Sequence, residues 1–588
     1  MSLGQPTFGG PAWFSGRLSG WMWRFEHAFE RARASGRAED DTRIRIIFVL
    51  ALFSLGFLVL AVGATRAVLF SKVGTGDVYA PPLGAARADL VDRNGQMLAA
   101  DLLHYGLYID PREIWDTAET RRALIGSLPD LTPERLERAL RAGRRTFVIG
   151  GMTPDVRARI HDLGLPGVSF EPEQKRVYPL GYTAAHLVGF ADTGGEGLAG
   201  AEAALNEDIR SAAASHGAVP LSIDLRIQAA LEDELYKATA QFHPKGAAGV
   251  VINVHTGEIL GLASYPTFDP NKPGAASLDA RLNRAAGAIY EMGSTFKGFT
   301  VATGLDTGVA TPTSTFDATH PFQLGYRTIH DYHATHAVLT LVEVFQHSSN
   351  IGTARLGEAI GPERLHAYFD RFGLTQPAKT ELIESARPLT PRVWNDDAIA
   401  STSFGHGINV TPLAVARAYS GLMNGGELLP LTIKKLPAGT VVHGPRMVQE
   451  STALTLLQIM RSNVSCTCGS GKSANVPGLN VGGKTGTGDK WDAVARRYST
   501  TKQVSSFAAV FPTDGPLNAP RYFVLILLDE PQRDKTGADP TGGIAAAPAT
   551  GRIIERIAPF LNVKRRVDTT PFAPPADVAT AANAAEEH

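Results

Sequence analysis

Residues 290–305 read YEMGSTFKGFTVATGL. Gly293 breaks the chain before Ser294, and the run behind it predicts a helix. Residues three apart on a helix share a face, so Lys297 is expected one turn from the Ser294 hydroxyl. A serine hydroxyl is a poor nucleophile until a neighbour accepts its proton. Lys297 can accept it only as the free amine, which requires its pKa to fall about three units from about 10.4, a cost of about 4 kcal/mol. Burial and a second cation both push that way.

Two further motifs follow in order: Ser348-Ser349-Asn350, then Lys484-Thr485-Gly486-Thr487 behind Gly482-Gly483. Ser348 can relay a proton to or from a leaving amine, and Asn350 can hold a substrate amide. Taken alone, Ser-Ser-Asn reads as a helix cap or turn. The Lys484–Thr487 stretch reads as an edge strand whose glycines admit close backbone approach. Lys484 supplies the second cation, and with the Thr485 and Thr487 hydroxyls it can bind a terminal carboxylate. The Ser294 and Thr487 N–H groups can meet a developing oxyanion. Which group takes the serine proton stays open. The same patterns recur at Ser499–Lys502, Ser473–Asn475 and Lys535–Gly537, in a strand and two turn-rich loops, and are read there as incidental.

Around these motifs, strands are expected at Ala248–Val254 and Ile259–Ser264, turned at His255-Thr256-Gly257, and at Ser506–Phe511 and Arg521–Leu528. A helix over Ile223–Tyr236 precedes the first pair, and an alanine-rich helix from Ile544 to Leu561 follows the second. Helical segments fill the interval, which makes an α/β (mixed) fold: a sheet covered by helices. Residues 66–220 read as a separate turn-rich domain, with a hairpin at Asn94-Gly95, a helix start at Thr132-Pro133 and a linker at Ser211–Gly217. Residues 221–563 form the catalytic domain, and 564–588, without apolar periodicity, a disordered tail.

The 588 residues carry 57 Lys+Arg against 58 Asp+Glu, a net charge of −1. That balance excludes a nucleic-acid binder held by bulk charge, which needs a basic surplus. Two cysteines, Cys466 and Cys468, cannot build a disulfide scaffold or a zinc site. One residue apart, they are expected to be free thiols. Ile46–Thr65 (IIFVLALFSLGFLVLAVGAT) is uncharged and, as a helix, about 30 Å long, enough to cross a bilayer. Seven arginines precede it, Arg43 and Arg45 abutting the span, so residues 1–45 are expected in the cytoplasm and the rest of the chain outside.

Further stretches sharpen the reading: Arg87–Gly95 (RADLVDRNG), Arg176–Pro179 (RVYP), Ala185–Gly189 (AHLVG), Gly197–Glu202 (GLAGAE), Ala263–Asn271 (ASYPTFDPN), Phe404–Leu413 (FGHGINVTPL) and Val481–Thr487 (VGGKTGT). With the ordered motifs they make the chain resemble the class B penicillin-binding proteins, the septal branch more than the elongation-specific one, from the anchor to about Leu561. Ala88 and Met292 depart from the usual Gly and Pro without touching a reacting group. The resemblance implies the penicillin-binding transpeptidase fold, a helix-covered antiparallel sheet plus an all-helical subdomain, on an elongated pedestal (dimerisation-type) domain with a single transmembrane helix. It implies a serine-type D-Ala-D-Ala transpeptidase that cross-links peptidoglycan stem peptides, with Ser294, Lys297, Ser348, Asn350 and Lys484 catalytic and Thr485, Gly486 and Thr487 binding substrate.

The resemblance further implies β-lactams as inhibitors, no metal or organic cofactor, a membrane glycosyltransferase of the FtsW type and other division proteins as partners, and an inner-membrane site with a periplasmic catalytic domain. A serine β-lactamase shares the motifs but needs a water-positioning Glu-x-x-Leu-Asn, whose nearest look-alike between Asn350 and Lys484 is Glu381-Leu382-Ile383-Glu384. A membrane-anchored β-lactam sensor or division scaffold is the non-enzyme alternative.

Overall fold

A computed structural model describes residues 87–492 and 497–566, with isolated positions between 23 and 61. The expected segment 1–45, much of the 46–65 span and the tail after residue 566 lie outside the described residues. Among the described residues no helix is long and apolar enough to cross a membrane. The positions described within the span, Leu52, Phe53, Phe57 and Leu60 among them, are helical with exposed side chains.

The chain divides into two compact units. The smaller holds Tyr108–Val148, with helices Thr117–Ser127 and Pro133–Leu140. The Thr132 side chain accepts from Arg135 N and Pro133 stands in the first turn, as the sequence predicts. Leu124, Leu128, Leu131 and Leu136 are buried there.

A hairpin of β1 (Asp89–Val91) and β2 (Met97–Ile109), paired Leu90 to Ala99, opens the larger unit, to which β2 belongs as far as Leu107. Gly95 makes the turn at φ +83°. Strand β3 (Ala218–Pro220) lies parallel to β1. Beside them, Glu202 is fully buried between Arg87 (2.5 Å) and Arg176 (2.6 Å), and Arg176 also reaches Asp101 (3.1 Å). The RVYP and GLAGAE stretches thus form a buried ion cluster. The expected linker at Ser211–Gly217 is instead largely helix, the end of Asn206–Ala214, because three successive alanines favour helix over loop. Asn271 exchanges hydrogen bonds with the Tyr178 backbone (2.9 Å each), tying ASYPTFDPN to RVYP.

Next come helix α1 (Leu225–Phe242), strands β4 (Gly246–Asn253) and β5 (Ile259–Tyr265), and, after the helical interval, β6 (Gly482–Asp492), β7 (Arg497–Phe511), β8 (Tyr522–Asp529) and α2 (Ala547–Ile557). The strands form one antiparallel sheet in the order β6-β7-β8-β4-β5. Both faces of β8 are buried, which is why YFVLILLD reads as an unbroken apolar run. Tyr522, Val524, Ile526 and Leu528 pack beneath α1 and α2, while Phe523, Leu525 and Leu527 face the helical interval. β6 remains at the open edge of the sheet.

Candidate active site

The chain reverses sharply before Ser294. Gly293 sits at φ +54°, and a Cβ there would stand 2.3 Å from the Thr487 carbonyl oxygen. Gly405, at φ +85°, is pressed against the Gly293 carbonyl in turn, and its own carbonyl accepts from Gly293 N (3.3 Å). Only glycine fits either position. These approaches seat Ser294 beside β6. The expected helix begins later than its spacing implies: Gly293–Phe296 is a 3-10 turn, and the α-helix runs Lys297–Asp306.

Lys297 is fully buried, and its Nζ reaches the Ser348–Asn350 segment. It donates to the Ser348 carbonyl, to Ser348 Oγ (3.1 Å) and to Asn350 Oδ1 (2.8 Å). Lys484, equally buried, donates to Ser348 Oγ (2.9 Å) and to Thr485 Oγ1 (3.3 Å). Ser348 therefore stands between two lysines, held there by a left-handed backbone (φ +58°) uncommon for a residue with a side chain. Burial pulls the Lys297 ammonium down to about 7, against a smaller opposing pull from Asp331. Lys484 is also driven well below its ordinary value, first by burial and then by repulsion from Lys297. The expected shift is present, and burial is its main cause.

Ser349 caps the helix Asn350–Ile360, its side chain accepting from Gly352 N (2.9 Å), as the cap reading of this motif expects. Asp331, which no motif marks, anchors that end: it accepts from Asn350 N (2.5 Å), Ile351 N (3.0 Å) and Ser349 Oγ (2.7 Å). Asn350 Nδ2 donates to the His330 carbonyl (3.0 Å).

A cavity of about 1040 Å³ opens over these groups, lined by Ser294, Ser348, Asn350, Thr485 and Thr487 among others. Gly486 lies on the opposite face of β6. Its missing side chain makes room for the Met292 carbonyl and Ser506, not for a ligand. Thr485 Oγ1 donates to Ser470 Oγ (3.0 Å), a second hydroxyl the motifs do not reveal. Thr487 Oγ1 accepts from Gly542 N (3.1 Å).

His406, from FGHGINVTPL, lines the cavity too, and burial lowers its imidazole to about 4. Glu291 accepts from Tyr498 (3.2 Å), and burial raises its carboxyl to about 7. Glu381 bonds to Thr432 and Ile433, and Glu384 to Gly200, so neither faces the cavity where a β-lactamase would position its water. Of the incidental repeats, Ser473 lines the cavity and donates to the Gly543 carbonyl (2.6 Å); Ser499 Oγ accepts from the Thr501 and Lys502 backbone N–H groups and meets the Thr501 hydroxyl (3.4 Å), all in its own strand.

The cysteines correct an expectation. Cys466 and Cys468 are joined in a disulfide, with Cα atoms 5.2 Å apart. The chain turns as helix Glu450–Ser465 ends, bringing residues two apart within bridging range. The same turn delivers Ser470, whose N–H donates to Asn463 Oδ1 (3.0 Å).

Two family models match the chain. The penicillin-binding protein transpeptidase domain covers residues 247–555, and the penicillin-binding protein dimerisation domain covers 82–207. The probable peptidoglycan D,D-transpeptidase FtsI of Caulobacter vibrioides is 61% identical over 555 residues, 94% of each chain. The peptidoglycan D,D-transpeptidase FtsI of Escherichia coli is 30% identical over 521 residues, 83% of this chain and 86% of that one. Among solved structures, penicillin-binding protein 3 of Mycobacterium tuberculosis in complex with ampicillin superposes with a TM-score of 0.63 at 26% identity, covering 83% of this chain and 98% of the other.

Proposed function

The chain belongs to the class B penicillin-binding proteins, and from that premise we propose that it is a septal peptidoglycan D,D-transpeptidase working through an acyl-enzyme on Ser294. The observation that carries this is the placement of Ser348 Oγ between Lys297 and Lys484 beside the Ser294 turn. In the proposed cycle, Ser294 Oγ attacks the carbonyl carbon of the D-Ala-D-Ala bond while its proton passes to neutral Lys297. With a pKa near 7, roughly half of Lys297 is free base at neutral pH.

The carbonyl oxygen gains negative charge and accepts from the Ser294 and Thr487 N–H groups. As the C–N bond breaks, the leaving D-Ala nitrogen takes a proton through Ser348 Oγ. An amine on a neighbouring stem peptide then attacks the ester, forms the cross-link, and returns the proton to Ser294. Lys484, Thr485, Ser470 and Thr487 hold the terminal carboxylate, and Asn350 steers the donor amide. A β-lactam follows the same first step and stays on the serine. The residues need no metal or organic cofactor for any of these transfers.

The uncharged Ile46–Thr65 stretch and the arginines before it support a single-pass inner-membrane anchor, with residues 1–45 in the cytoplasm and the catalytic domain in the periplasm. A membrane glycosyltransferase of the FtsW type, with other division proteins, is the partner set this placement suits. The experiment is a cross-linking assay with donor and amine-bearing acceptor stem peptides. Dimer product should form with the full chain and vanish in Ser294→Ala; product from the variant, or none from either protein, refutes the reading. In cells, depletion should give filaments, whereas rounding points to elongation.

A further inference from the structure

The reaction proposed above makes no use of the Cys466–Cys468 bridge, yet the bridge lies beside the cavity and shapes one of its walls. Helix Glu450–Ser465 ends as Cys466 N donates to the Ser462 carbonyl (3.0 Å), and Gly469 N turns back to the Cys466 carbonyl (3.1 Å). Gly469 is pressed against Asn463, where a Cβ would stand 2.0 Å from the carbonyl oxygen. One residue on, Ser470 is held from three directions. Its N–H is shared between the Gln346 carbonyl and Asn463 Oδ1 (3.0 Å each), its hydroxyl donates to Asn463 Oδ1 (3.1 Å), and Thr485 Oγ1 donates to it (3.0 Å). Buried Asn463 in turn donates to the Gly483 carbonyl of β6 (2.8 Å). The bridged turn therefore sets a hydroxyl that holds the donor's terminal carboxylate in the function proposed above, on which this inference rests.

A bridge across one intervening residue closes the shortest of loops and removes the least freedom from the unfolded chain. Its main contribution is local order at this turn. Its sulfurs are also open to chemistry: Cys468 is exposed and lines the cavity, while Cys466 is half-buried. An incoming thiolate thus meets Cys468 first. Lys472 Nζ donates to the Thr467 carbonyl between the two cysteines (2.9 Å), and its positive charge favours the Cys466 thiolate that must leave.

We propose that Cys466–Cys468 is a redox site through which a dithiol controls acylation of Ser294: the bridged chain holds Ser470 ready for the carboxylate, and the reduced chain releases it. One thiolate of the dithiol bonds to Cys468 Sγ as the S–S bond breaks, and the Cys466 thiolate takes a proton. The second thiol then displaces Cys468, so the protein gains two electrons and two protons and the dithiol becomes a disulfide. The test uses dithiothreitol on the native full chain, with iodoacetamide mass counting open thiols, and then, with the dithiol removed, acylation by a penicillin. Reduction should need no denaturant and should slow acylation about fivefold, the worth of one hydrogen bond; reoxidation should restore the rate. The Cys466→Ser, Cys468→Ser double variant should acylate at the reduced rate with or without dithiothreitol. In Ser470→Ala the oxidised to reduced ratio should fall to about one, and because each ratio is internal to one protein, loss of folded enzyme cancels. A bridge that opens only in urea, equal rates in the two states of wild type, or a ratio unchanged in Ser470→Ala overturns the redox site. Failure of oxidised wild type to take a penicillin on Ser294 instead overturns the reading beneath it.

Discussion

The depressed pKa of Lys297 makes a quantitative demand on the rate of acylation. With a value of about 7, the free base is about a tenth of the enzyme at pH 6, half at pH 7 and nine-tenths at pH 8. Acylation by a penicillin, followed by stopped-flow fluorescence, should rise about tenfold from pH 6 to pH 8 and then level. An ordinary lysine would be about 0.03% free base at pH 7, so the burial of this side chain is worth about 4 kcal/mol in availability of the base. Glu291 also titrates near 7 and is the competing source of an inflection; the inflection should survive Glu291→Gln. Asp331 holds the Lys297 value up, so Asp331→Asn should move the inflection to lower pH. A rate that climbs tenfold per unit through pH 9, a flat profile from pH 5, or an inflection lost in Glu291→Gln would refute Lys297 as the base.

Glycine contacts give a second test: Gly405→Ala, whose Cβ would meet the Gly293 carbonyl at 2.1 Å, should slow acylation more than tenfold and lower the melting temperature, while Gly274→Ala, which meets nothing within 4 Å, should do neither. Glu202→Ala should destabilise the larger unit by about 3–5 kcal/mol in urea unfolding, because it leaves buried Arg87 without its carboxylate and Arg176 with Asp101 alone. Iodoacetamide should leave the native protein unmodified and add twice after reduction, as the Cys466–Cys468 bond requires; two additions without reductant would mean free thiols.

What the sequence made legible is what short spacing encodes. Ser294 and Lys297 sit in one turn, Ser349 caps the helix its neighbour Asn350 begins, and the apolar run of β8 announces a strand buried on both faces. The site's other members arrive through space. Asp331 lies in a loop without a motif and matters because the fold carries it to the start of the Asn350 helix. Ser470 becomes a partner of Thr485 only through the turn after Ser465. That turn also explains the disulfide, since an extended Cys-Thr-Cys would hold the sulfurs apart. The ion cluster of Arg87, Arg176 and Glu202 joins positions far apart in the chain that no periodicity connects.

Incubation of the protein with a penicillin, followed by intact mass and peptide mapping, tests the nucleophile most directly. One adduct should form, on the peptide that holds Ser294, and should persist in Ser499→Ala while disappearing in Ser294→Ala. An unchanged mass, or an adduct that maps to any other residue, would contradict it.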